Sequence, residues 1–462
     1  MIADKNRKIL LVEDAKSMRK IEIRILKSIG YDNIIEANDG AEAVEILNNT
    51  DQIDLIISDW NMPNMGGYDL LVWVRENETH AKTPFIMATA QADKEQAYKA
   101  EDAGCNGFIP KPFTAEELEK TINEVFNKDA VGTEDKELGP QRGASGKVKL
   151  RVAHIQITDH LILGIVNRWI MQGDIVPKHF ELETHCMAGW NPVEKALETG
   201  EVDAAFVLAP IAMDLFHFGV PIKMVLLAHR NGSIFVRNKQ GDYQEPYQNF
   251  FKQKSVLIPH KMSVHHMLTH MFFSPLNLKA SLDKGDDIDI NLEVVAPINM
   301  PSFMKENNDV GGFVVAEPIG SKSIALGISK KLFLSSEIWE NHPCCVVAVR
   351  DDFSEPYSEA VQELVDYLVA AGKFIAEQST MAAFYALRFL DPDKKLGLKL
   401  PVLKKVLDDP LGINTDNLYP VKDDIDRMQQ YMHDTMGIGH IIDLDSFINT
   451  QYAKIACHEI QD

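Results

Sequence analysis

The chain has 462 residues, of which 45% are hydrophobic and 25% are charged, and its formal net charge is -21 at pH 7. A single core rarely organises so many residues, so we expect at least two domains. The acidity argues against general nucleic-acid binding, which usually requires a basic surface, and no apolar run is long enough to span a membrane. Because the first residues, MIADKNRKILLVED, lack the apolar core of a signal peptide, we expect a cytoplasmic protein.

Four apolar, strand-like runs near the start of the chain each end at polar side chains. KILLV is followed by Glu13 and Asp14, LIIS by Asp59, FIMA by Thr89, and GFIP by Lys111. Helix-like segments alternate with these runs, which predicts an open α/β sheet. The carboxyl ends of the strands in such a sheet share one edge, and binding sites lie beside it. We therefore expect these five side chains to come together.

The residue types in this set suit phosphoryl transfer to a carboxylate. Mg²⁺ prefers oxygen ligands, which Glu13, Asp14 and Asp59 would supply. The Lys111 ammonium and the Thr89 hydroxyl would stabilise the charge on the transferred phosphoryl oxygens. Each residue alone has an ordinary explanation as a turn residue, a strand end or a solvated surface lysine. The combination predicts a phosphoacceptor site at Asp59.

Residues 5–127 resemble the receiver domain of two-component response regulators, and SDWNMPNMGG is especially similar to the single-domain chemotaxis regulators. The resemblance implies a flavodoxin-like fold with a five-stranded parallel sheet, over a domain spanning 1–127. It further implies phosphorylation of Asp59 by a sensor histidine kinase, with Mg²⁺ as cofactor. The metal ligands would be Glu13, Asp14, Asp59 and the backbone carbonyl of Asn61.

The same resemblance makes Thr89 the switch hydroxyl and Lys111 the conserved-type lysine. Phe108 takes the place of the switch aromatic residue, which is often tyrosine in the family, and it has no hydroxyl to offer a partner. A motor-binding role is therefore not carried over, although chemotaxis proteins remain candidate partners. Lys111 precedes Pro112, and the family pattern implies a cis peptide bond there.

A different composition begins after the first domain. Residues 128–147 are rich in charge, Gly, Ser and Pro, which predicts a flexible linker. From Val148 onward, strand-like runs such as KLRVAHI and AAFVLAP alternate with helix-like runs, and a comparable order recurs from KSVLIPH. This repetition predicts a second α/β domain, 148–462, built from two lobes.

We expect the two lobes to enclose a hinged cleft. Lobe 1 would comprise about 148–235 and 346–462, and lobe 2 about 236–345. The crossings between them would lie near Ser233 to Asn238 and Ser335 to Val346. Residues after about 380 would form helices that pack on the first lobe.

Several strand ends in this half precede residues suited to begin a helix, and the free N–H groups of helix N-termini favour anions. Ordinary helix capping explains such residues equally well. The motif order, from ITD at 157–159 and GWNPVEKAL to DVGGFVVAEP and SSEIWENHPCCVVAV, resembles the type II periplasmic substrate-binding proteins of the nitrate, bicarbonate, sulfonate and taurine group over about 148–375. By that resemblance, the ligand cleft would be lined by Thr158, Asp159, Trp190, Asn231, Ser263 and Glu317. Trp190 could equally be a core residue.

Two other residue sets contain residue types that metal or enzyme sites use. His266 and His270 have an acceptable spacing for metal ligands on one helix face, but no third ligand accompanies them. The five cysteines are scattered and odd in number, which fits reduced, mostly structural thiols. The thiamine-pyrimidine synthases resemble these binding proteins but depend on a cysteine-rich cluster, whereas Cys344 and Cys345 are only a pair.

Together these features predict a two-component response regulator whose second domain binds a small anionic metabolite inside the cell. One alternative is a receiver-regulated enzyme that acts on a small carboxylated or pyrimidine-like substrate. Another is an adaptor that binds chemotaxis or kinase proteins and has no ligand. Apart from the receiver's own phosphorylation and dephosphorylation, the main hypothesis involves no catalysis.

Overall fold

The computed structural model describes residues 5–50, 52–77, 79–89, 99–100, 103–111, 113–126, 139–143, 145–240, 246–283 and 287–457. The chain separates into two compact units, Met1–Lys136 and Glu137–Asp462. Most of the predicted linker and the predicted cis bond at Pro112 lie outside the described residues. Within those residues, no helix combines the length and the apolar character needed to cross a membrane.

The first unit is built on a parallel sheet with the strand order β2-β1-β3-β4-β5, which confirms the predicted receiver fold. Its strands are Ile9–Val12 (β1), Ile34–Ala37 (β2), Leu55–Asp59 (β3), Phe85–Thr89 (β4) and Gly107–Pro110 (β5). Its helices include Lys16–Ser28 (α1), Gly40–Asn48 (α2), Gly67–Glu76 (α3) and Ala115–Phe126 (α4).

The strand sequences explain why the sheet is central. In β1, Ile9 and Leu11 pack into one apolar cluster, while Leu10 and Val12 pack into another on the opposite face. Successive side chains of a strand point to opposite faces, so a run of four apolar residues requires cover on both sides. That burial leaves polar side chains only at the strand ends.

The loop after β3 approaches the strand end closely. The Gly67 N–H donates to the Trp60 carbonyl at 2.9 Å. A Cβ atom at Gly67 would lie 1.9 Å from the Asp59 carbonyl oxygen, so only glycine fits here. The backbone that carries Asp59 is therefore held by the start of α3.

The second unit contains two mixed sheets. Its strands are Val148–His154 (β6), Phe180–Cys186 (β7), Ala204–Leu208 (β8), Ile222–Leu227 (β9), Ser233–Asn238 (β10), Lys254–Ile258 (β11), Ala280–Ser281 (β12), Ile290–Val294 (β13), Val310–Ala316 (β14), Ser329–Leu334 (β15) and Cys345–Arg350 (β16). One sheet has the order β7-β6-β8-β16-β9, and the other β12-β13-β11-β14-β10-β15. This is the predicted two-lobed arrangement.

Each sheet contains one strand that runs antiparallel to both of its neighbours. In the six-stranded sheet this is β10, and in the five-stranded sheet it is β16. Both strands begin directly after the chain has crossed from the other sheet, through residues 228–232 and 335–344. The prediction that Ser233 to Asn238 forms a crossing is wrong, because those residues are fully paired within the six-stranded sheet.

The helices of the second unit cover the faces of both sheets. They are Leu161–Gln172 (α5), Trp190–Thr199 (α6), Ala209–His217 (α7), Tyr247–Phe251 (α8), Val264–Phe273 (α9), Met300–Glu306 (α10), Ile319–Ala325 (α11), Asp351–Ser354 (α12), Ser358–Glu377 (α13), Ser379–Leu390 (α14), Leu400–Leu407 (α15), Lys422–Gln430 (α16), Leu444–Phe447 (α17) and Gln451–Ala456 (α18).

The C-terminal residues run along the first crossing. The Arg230 N–H donates to the Asn414 carbonyl at 2.8 Å, and the Arg230 guanidinium forms a 2.7 Å ion pair with Asp424. The same guanidinium donates to the Asn341 carbonyl, in the second crossing, at 2.8 Å. Helix α15 also contacts α11, which belongs to the lobe with the six-stranded sheet. The C-terminal helices therefore do not pack on the first, five-stranded lobe alone, contrary to the prediction from the sequence.

Candidate functional site

The edge of the receiver sheet gathers the polar side chains that follow its strands. Glu13 follows β1, Asp59 ends β3 and Thr89 ends β4. Carboxylate oxygens of Glu13, Asp14 and Asp59 all lie within 4.8 Å of one another, and we call these three residues the acidic pocket. Three carboxylates at this spacing match the oxygen donors that Mg²⁺ prefers. The acidic pocket is therefore of the kind that holds Mg²⁺ in receiver domains.

Lys111 provides the positive charge of this site. Its buried ammonium lies 3.3 Å from Asp59 Oδ1 and 2.9 Å from Glu22 Oε1, and it also pairs with Glu13. Burial alone would lower the pKa of Lys111, but the three surrounding carboxylates raise it well above its usual value. Lys111 is therefore charged. Its backbone N–H donates to the Thr89 carbonyl at 2.7 Å, which joins the ends of β4 and β5.

Glu22 belongs to this site but was not predicted from the sequence. It lies on the buried face of α1, between Arg19 and Leu26 at helical spacing, and is 2% exposed. Burial raises the pKa of Glu22 to about 7, against the opposing effect of Lys111. The sequence did contain a signal for Glu22: it is an acidic residue in the inward-facing stripe of an amphipathic helix, where residues are normally apolar.

Two further predicted receiver residues lie in the loop after β3 and in β5. Asn61 is exposed in the loop two residues after Asp59. Phe108 lies in β5 opposite Met87 of β4, and its partly buried ring packs against the apolar cluster on one face of the sheet. Their roles as metal ligand and switch residue stay predictions.

In the second unit, the six residues predicted to line the cleft are all buried, none being more than 6% exposed. Two of them join the lobes directly. The N–H and the hydroxyl of Thr158, which follows β6, donate to the Glu317 carbonyl, which follows β14, at 2.8 and 2.7 Å. The segments that follow β6 and β14 therefore meet, as in a cleft whose lobes are closed.

Asp159 forms a fully buried pair with a histidine of the first crossing. Its Oδ2 atom lies 3.0 Å from His229 Nε2 and 3.7 Å from Cys345 Sγ. Burial would lower the pKa of His229, but Asp159 outweighs that effect and raises it to about 10. The Cys345 backbone N–H also donates to His229 Nε2 at 3.2 Å, so the imidazole contacts both Asp159 and the start of β16.

Two predicted cleft residues bring buried polar atoms without a hydrogen-bond partner among the described residues. These atoms are Trp190 Nε1 and Asn231 Oδ1. The Trp190 ring meets His160 edge-on, with centroids 5.6 Å apart, and His160 Nε2 also has no partner in this part of the chain. Buried polar atoms are normally hydrogen-bonded, so these groups are suited to a ligand or to bound water.

Ser263 and Glu317 are held by local contacts. Ser263 caps α9, since its hydroxyl accepts from the His266 N–H at 3.1 Å and donates to the His260 carbonyl at 2.6 Å. The Glu317 carboxylate accepts two hydrogen bonds from Ser321, and burial raises its pKa to about 7. Glu317 also lines a cavity of about 140 Å³ with Gly232, Ile234, Ser321, Lys331, Lys405 and Asp409.

Both histidines at helical spacing are held by hydrogen bonds, whereas the cysteine pair lies in a cluster of metal-binding residue types. His266 Nδ1 bonds to the Lys261 carbonyl, and His270 Nδ1 bonds to the Tyr431 hydroxyl. Neither belongs to a cluster of candidate metal donors within the described ranges. Donor atoms of Asp159, His229, Cys344 and Cys345 do lie within 4.8 Å of one another.

The fold and the acidic pocket define a receiver joined to a solute-binding-like unit, and comparisons with known proteins agree. The response regulator receiver domain matches residues 9–123. Chemotaxis protein CheY-3 of Vibrio cholerae is 42% identical over 127 residues, which is 28% of this chain and 97% of that protein. The NMT1-like family matches residues 143–387, just over half of the chain. The chain therefore belongs to the NMT1-like family and carries a receiver domain of the chemotaxis type.

Solved structures support the fold of the second unit. The periplasmic nitrate-binding protein NrtA from Synechocystis PCC 6803 is 15% identical, with a TM-score of 0.56 over 70% of this chain and 90% of that one. The alkanesulfonate-binding protein SsuA from Xanthomonas axonopodis is 14% identical, with a TM-score of 0.51 over 64% and 93%. These identities establish the type II periplasmic-binding-protein fold and nothing finer.

Proposed function

We propose that the chain is a cytoplasmic response regulator in which a sensor histidine kinase phosphorylates Asp59 and the second unit binds a small anionic metabolite. The observation that carries the first half is the meeting of the acidic pocket with a charged, buried Lys111 at the end of the receiver sheet. The nitrate-binding and sulfonate-binding relatives of the same fold support the second half.

In this proposal the Asp59 carboxylate accepts the phosphoryl group. Glu13, Asp14 and Asp59 would hold Mg²⁺, which when bound neutralises the charge of the phosphoryl oxygens. Lys111 lies 3.3 Å from Asp59 Oδ1 and would exchange part of its carboxylate contacts for a phosphoryl oxygen. The Thr89 hydroxyl would move toward that oxygen and Phe108 would follow it inward. The carbonyl of Asn61 would complete the protein ligands.

The ligand would occupy the junction of the two lobes. The unpartnered atoms Trp190 Nε1 and Asn231 Oδ1 supply a donor and an acceptor there. The contact between Thr158 and Glu317 would form as the lobes close over the ligand. Phosphorylation would alter ligand affinity, and linkage then requires the ligand to alter the phosphorylation equilibrium by the same factor.

Phosphorylation is tested first, by incubating the full chain with acetyl phosphate and Mg²⁺ and separating the phosphorylated form by gel mobility. We expect Asp59→Asn to abolish the modified form and Asp32→Asn, an exposed acid of the same unit, to leave it unchanged. A modified form that persists in Asp59→Asn would refute the assignment of the phosphoacceptor.

Ligand binding is tested on the full chain by thermal unfolding with nitrate, bicarbonate, sulfonates, taurine and small carboxylates. A ligand at a hundredfold above its dissociation constant stabilises the native state by about 2.7 kcal/mol. Each compound is compared with and without beryllofluoride, which mimics the phosphoryl group on Asp59. Equal ligand affinities with and without beryllofluoride would refute the coupling between phosphorylation and binding. If no compound shifts the unfolding temperature, the proposed class of ligand is refuted.

A further inference from the structure

We propose that Asp159, His229, Cys344 and Cys345 bind one divalent transition-metal ion of the zinc class. This site lies beyond the proposed phosphorylation and does not depend on the identity of the anionic ligand. We call these four residues the thiol cluster. They come from three separate parts of the chain and are each no more than 1% exposed.

The donor types identify the class of metal. Two sulfur atoms, one imidazole nitrogen and one carboxylate oxygen form a set that favours tetrahedral Zn²⁺ or a similar soft-tolerant ion over Mg²⁺ or Ca²⁺. The acidic pocket of the receiver offers only oxygen donors and favours the opposite class. The two units therefore present sites of different metal preference.

The spacing is close to that of a bound site. Metal–ligand bonds of about 2.0–2.3 Å in tetrahedral geometry place donor atoms roughly 3.3–3.8 Å apart. Asp159 Oδ2 is already 3.0 Å from His229 Nε2 and 3.7 Å from Cys345 Sγ, and all four residues have a donor within 4.8 Å of the others. The 4.8 Å limit on these separations exceeds the tetrahedral spacing by only about an ångström.

The polar groups at and around the thiol cluster also favour an ion. Asp159 Oδ1 and His229 Nδ1 are buried and have no hydrogen-bond partner among the described residues, and the same holds for His265 Nδ1 and His342 Nε2. Burying Asp159 Oδ1 without a hydrogen-bond partner costs free energy. The contact of the other oxygen, Oδ2, with His229 does not offset that cost. A metal ion, with water or a second shell of imidazoles, would satisfy these groups.

The position of the thiol cluster gives the metal a mechanical role. His229 lies in the first crossing, Cys344 lies in the second, and Asp159 follows β6 of the five-stranded sheet. A bound ion would fasten both crossings to that sheet, at the level where Thr158 meets the six-stranded lobe. Metal occupancy would therefore set the stability of the hinge.

The test uses the full chain with Asp59→Asn and excess Mg²⁺, so that the acidic pocket does not take up the probe. After chelator treatment under reducing conditions, Co²⁺ is added and the absorption spectrum is recorded. We expect one Co²⁺ per chain, with thiolate-to-cobalt charge-transfer absorption and the visible bands of tetrahedral coordination. A folded protein that shows no charge-transfer absorption would overturn the proposal.

Single substitutions then assign the ligands. We expect Cys344→Ser and Cys345→Ser each to weaken Zn²⁺ binding by more than the roughly 10–100-fold that loss of an outer-shell partner costs. Each should also reduce the rise in unfolding temperature that Zn²⁺ produces. Cys186→Ser, which changes a cysteine of the same unit outside the thiol cluster, is the matched control. It should keep the Zn²⁺ affinity and the rise in unfolding temperature with Zn²⁺. Equal Zn²⁺ affinity in all three variants would refute the site.

A second measurement keeps all cysteines unsubstituted, so that it does not depend on whether a buried substitution folds. X-ray absorption of the Zn²⁺-loaded Asp59→Asn chain reports the atoms bonded to the metal. Two sulfur atoms per Zn²⁺ are expected, and a shell of only oxygen and nitrogen atoms would reject the thiol cluster as the binding site.

Discussion

Acid should unfold the second unit through its buried histidines, and His154 allows this to be measured. Burial lowers the pKa of His154, His260, His266 and His342 to about 4, and that of His265 to about 3. The ordinary histidine value is 6.5, so the unfolded chain takes up protons that the native unit excludes. The stability that these neutral histidines provide is complete above pH 6.5 and is lost as the pH falls toward 4.

The magnitude follows from proton linkage. A histidine with a pKa of about 4 in the native state and about 6.5 in the unfolded state removes about 1.8 kcal/mol of stability between pH 7 and pH 5. Five such groups remove about 9 kcal/mol. Glu317 acts in the opposite direction, because its raised pKa of about 7 returns about 2 kcal/mol over the same interval. His229, whose pKa is raised to about 10, returns a further ~0.8 kcal/mol. The net loss of about 6 kcal/mol is comparable to the whole stability of a typical domain.

The assay is urea unfolding of the full chain at pH 7 and pH 5. With Trp60 and Trp73 of the receiver changed to Phe, the remaining tryptophan fluorescence reports the second unit alone. His154→Phe keeps an aromatic ring against Phe389, whose centroid lies 4.5 Å from that of His154, and removes the titrating group. We expect the loss of stability between the two pH values to shrink by about 1.8 kcal/mol.

A control separates titration from packing. Phe447→Leu changes a buried apolar residue that packs against Phe216, and it should lower stability similarly at both pH values. If His154→Phe loses as much stability between pH 7 and pH 5 as the parent chain, the neutral buried state of His154 is incorrect.

Two further predictions concern backbone fit and a buried ion pair. Gly67→Ala should lower the thermal unfolding temperature of the receiver and slow phosphorylation by acetyl phosphate, because its Cβ would lie 1.9 Å from the Asp59 carbonyl. Asp203→Asn should cost the second unit about 3–5 kcal/mol of unfolding free energy in urea, because Arg151, which pairs with Asp203 at 2.6 and 2.9 Å, would stay buried without its counter-charge.

Each of these predictions has a matched control. Gly66→Ala places its Cβ 3.1 Å from the Trp60 carbonyl oxygen, a tight contact but a much smaller overlap than at Gly67, so it should affect phosphorylation far less than Gly67→Ala. Asp445→Asn breaks an exposed ion pair with Lys422 and should leave the urea midpoint of the second unit unchanged. If Gly66→Ala slows phosphorylation as much as Gly67→Ala, the argument from the close approach of Gly67 is wrong. If Asp445→Asn destabilises the second unit as much as Asp203→Asn, the argument from burial is wrong.

The receiver could be predicted from sequence because its polar residues are tied to the strand pattern. A parallel strand buried on both faces is apolar throughout, so a carboxylate directly after it lies at the shared carboxyl edge. This places Glu13, Asp14 and Asp59 together without knowledge of the tertiary contacts. Glu22 does not follow from this rule, because it comes from a helix and reaches Lys111 only when α1 packs on the sheet.

In the second unit, the sequence determined the alternation of strands and helices and hence the class of fold. It did not determine where the chain crosses between the sheets. Residues 233–238 are a short, partly apolar run, and only their pairing with β14 and β15 shows that they form a strand and not a crossing. It also did not reveal the thiol cluster. Asp159, His229 and Cys344 are separated by 70 and 115 residues, and only the tertiary structure brings their donor atoms within 4.8 Å of one another.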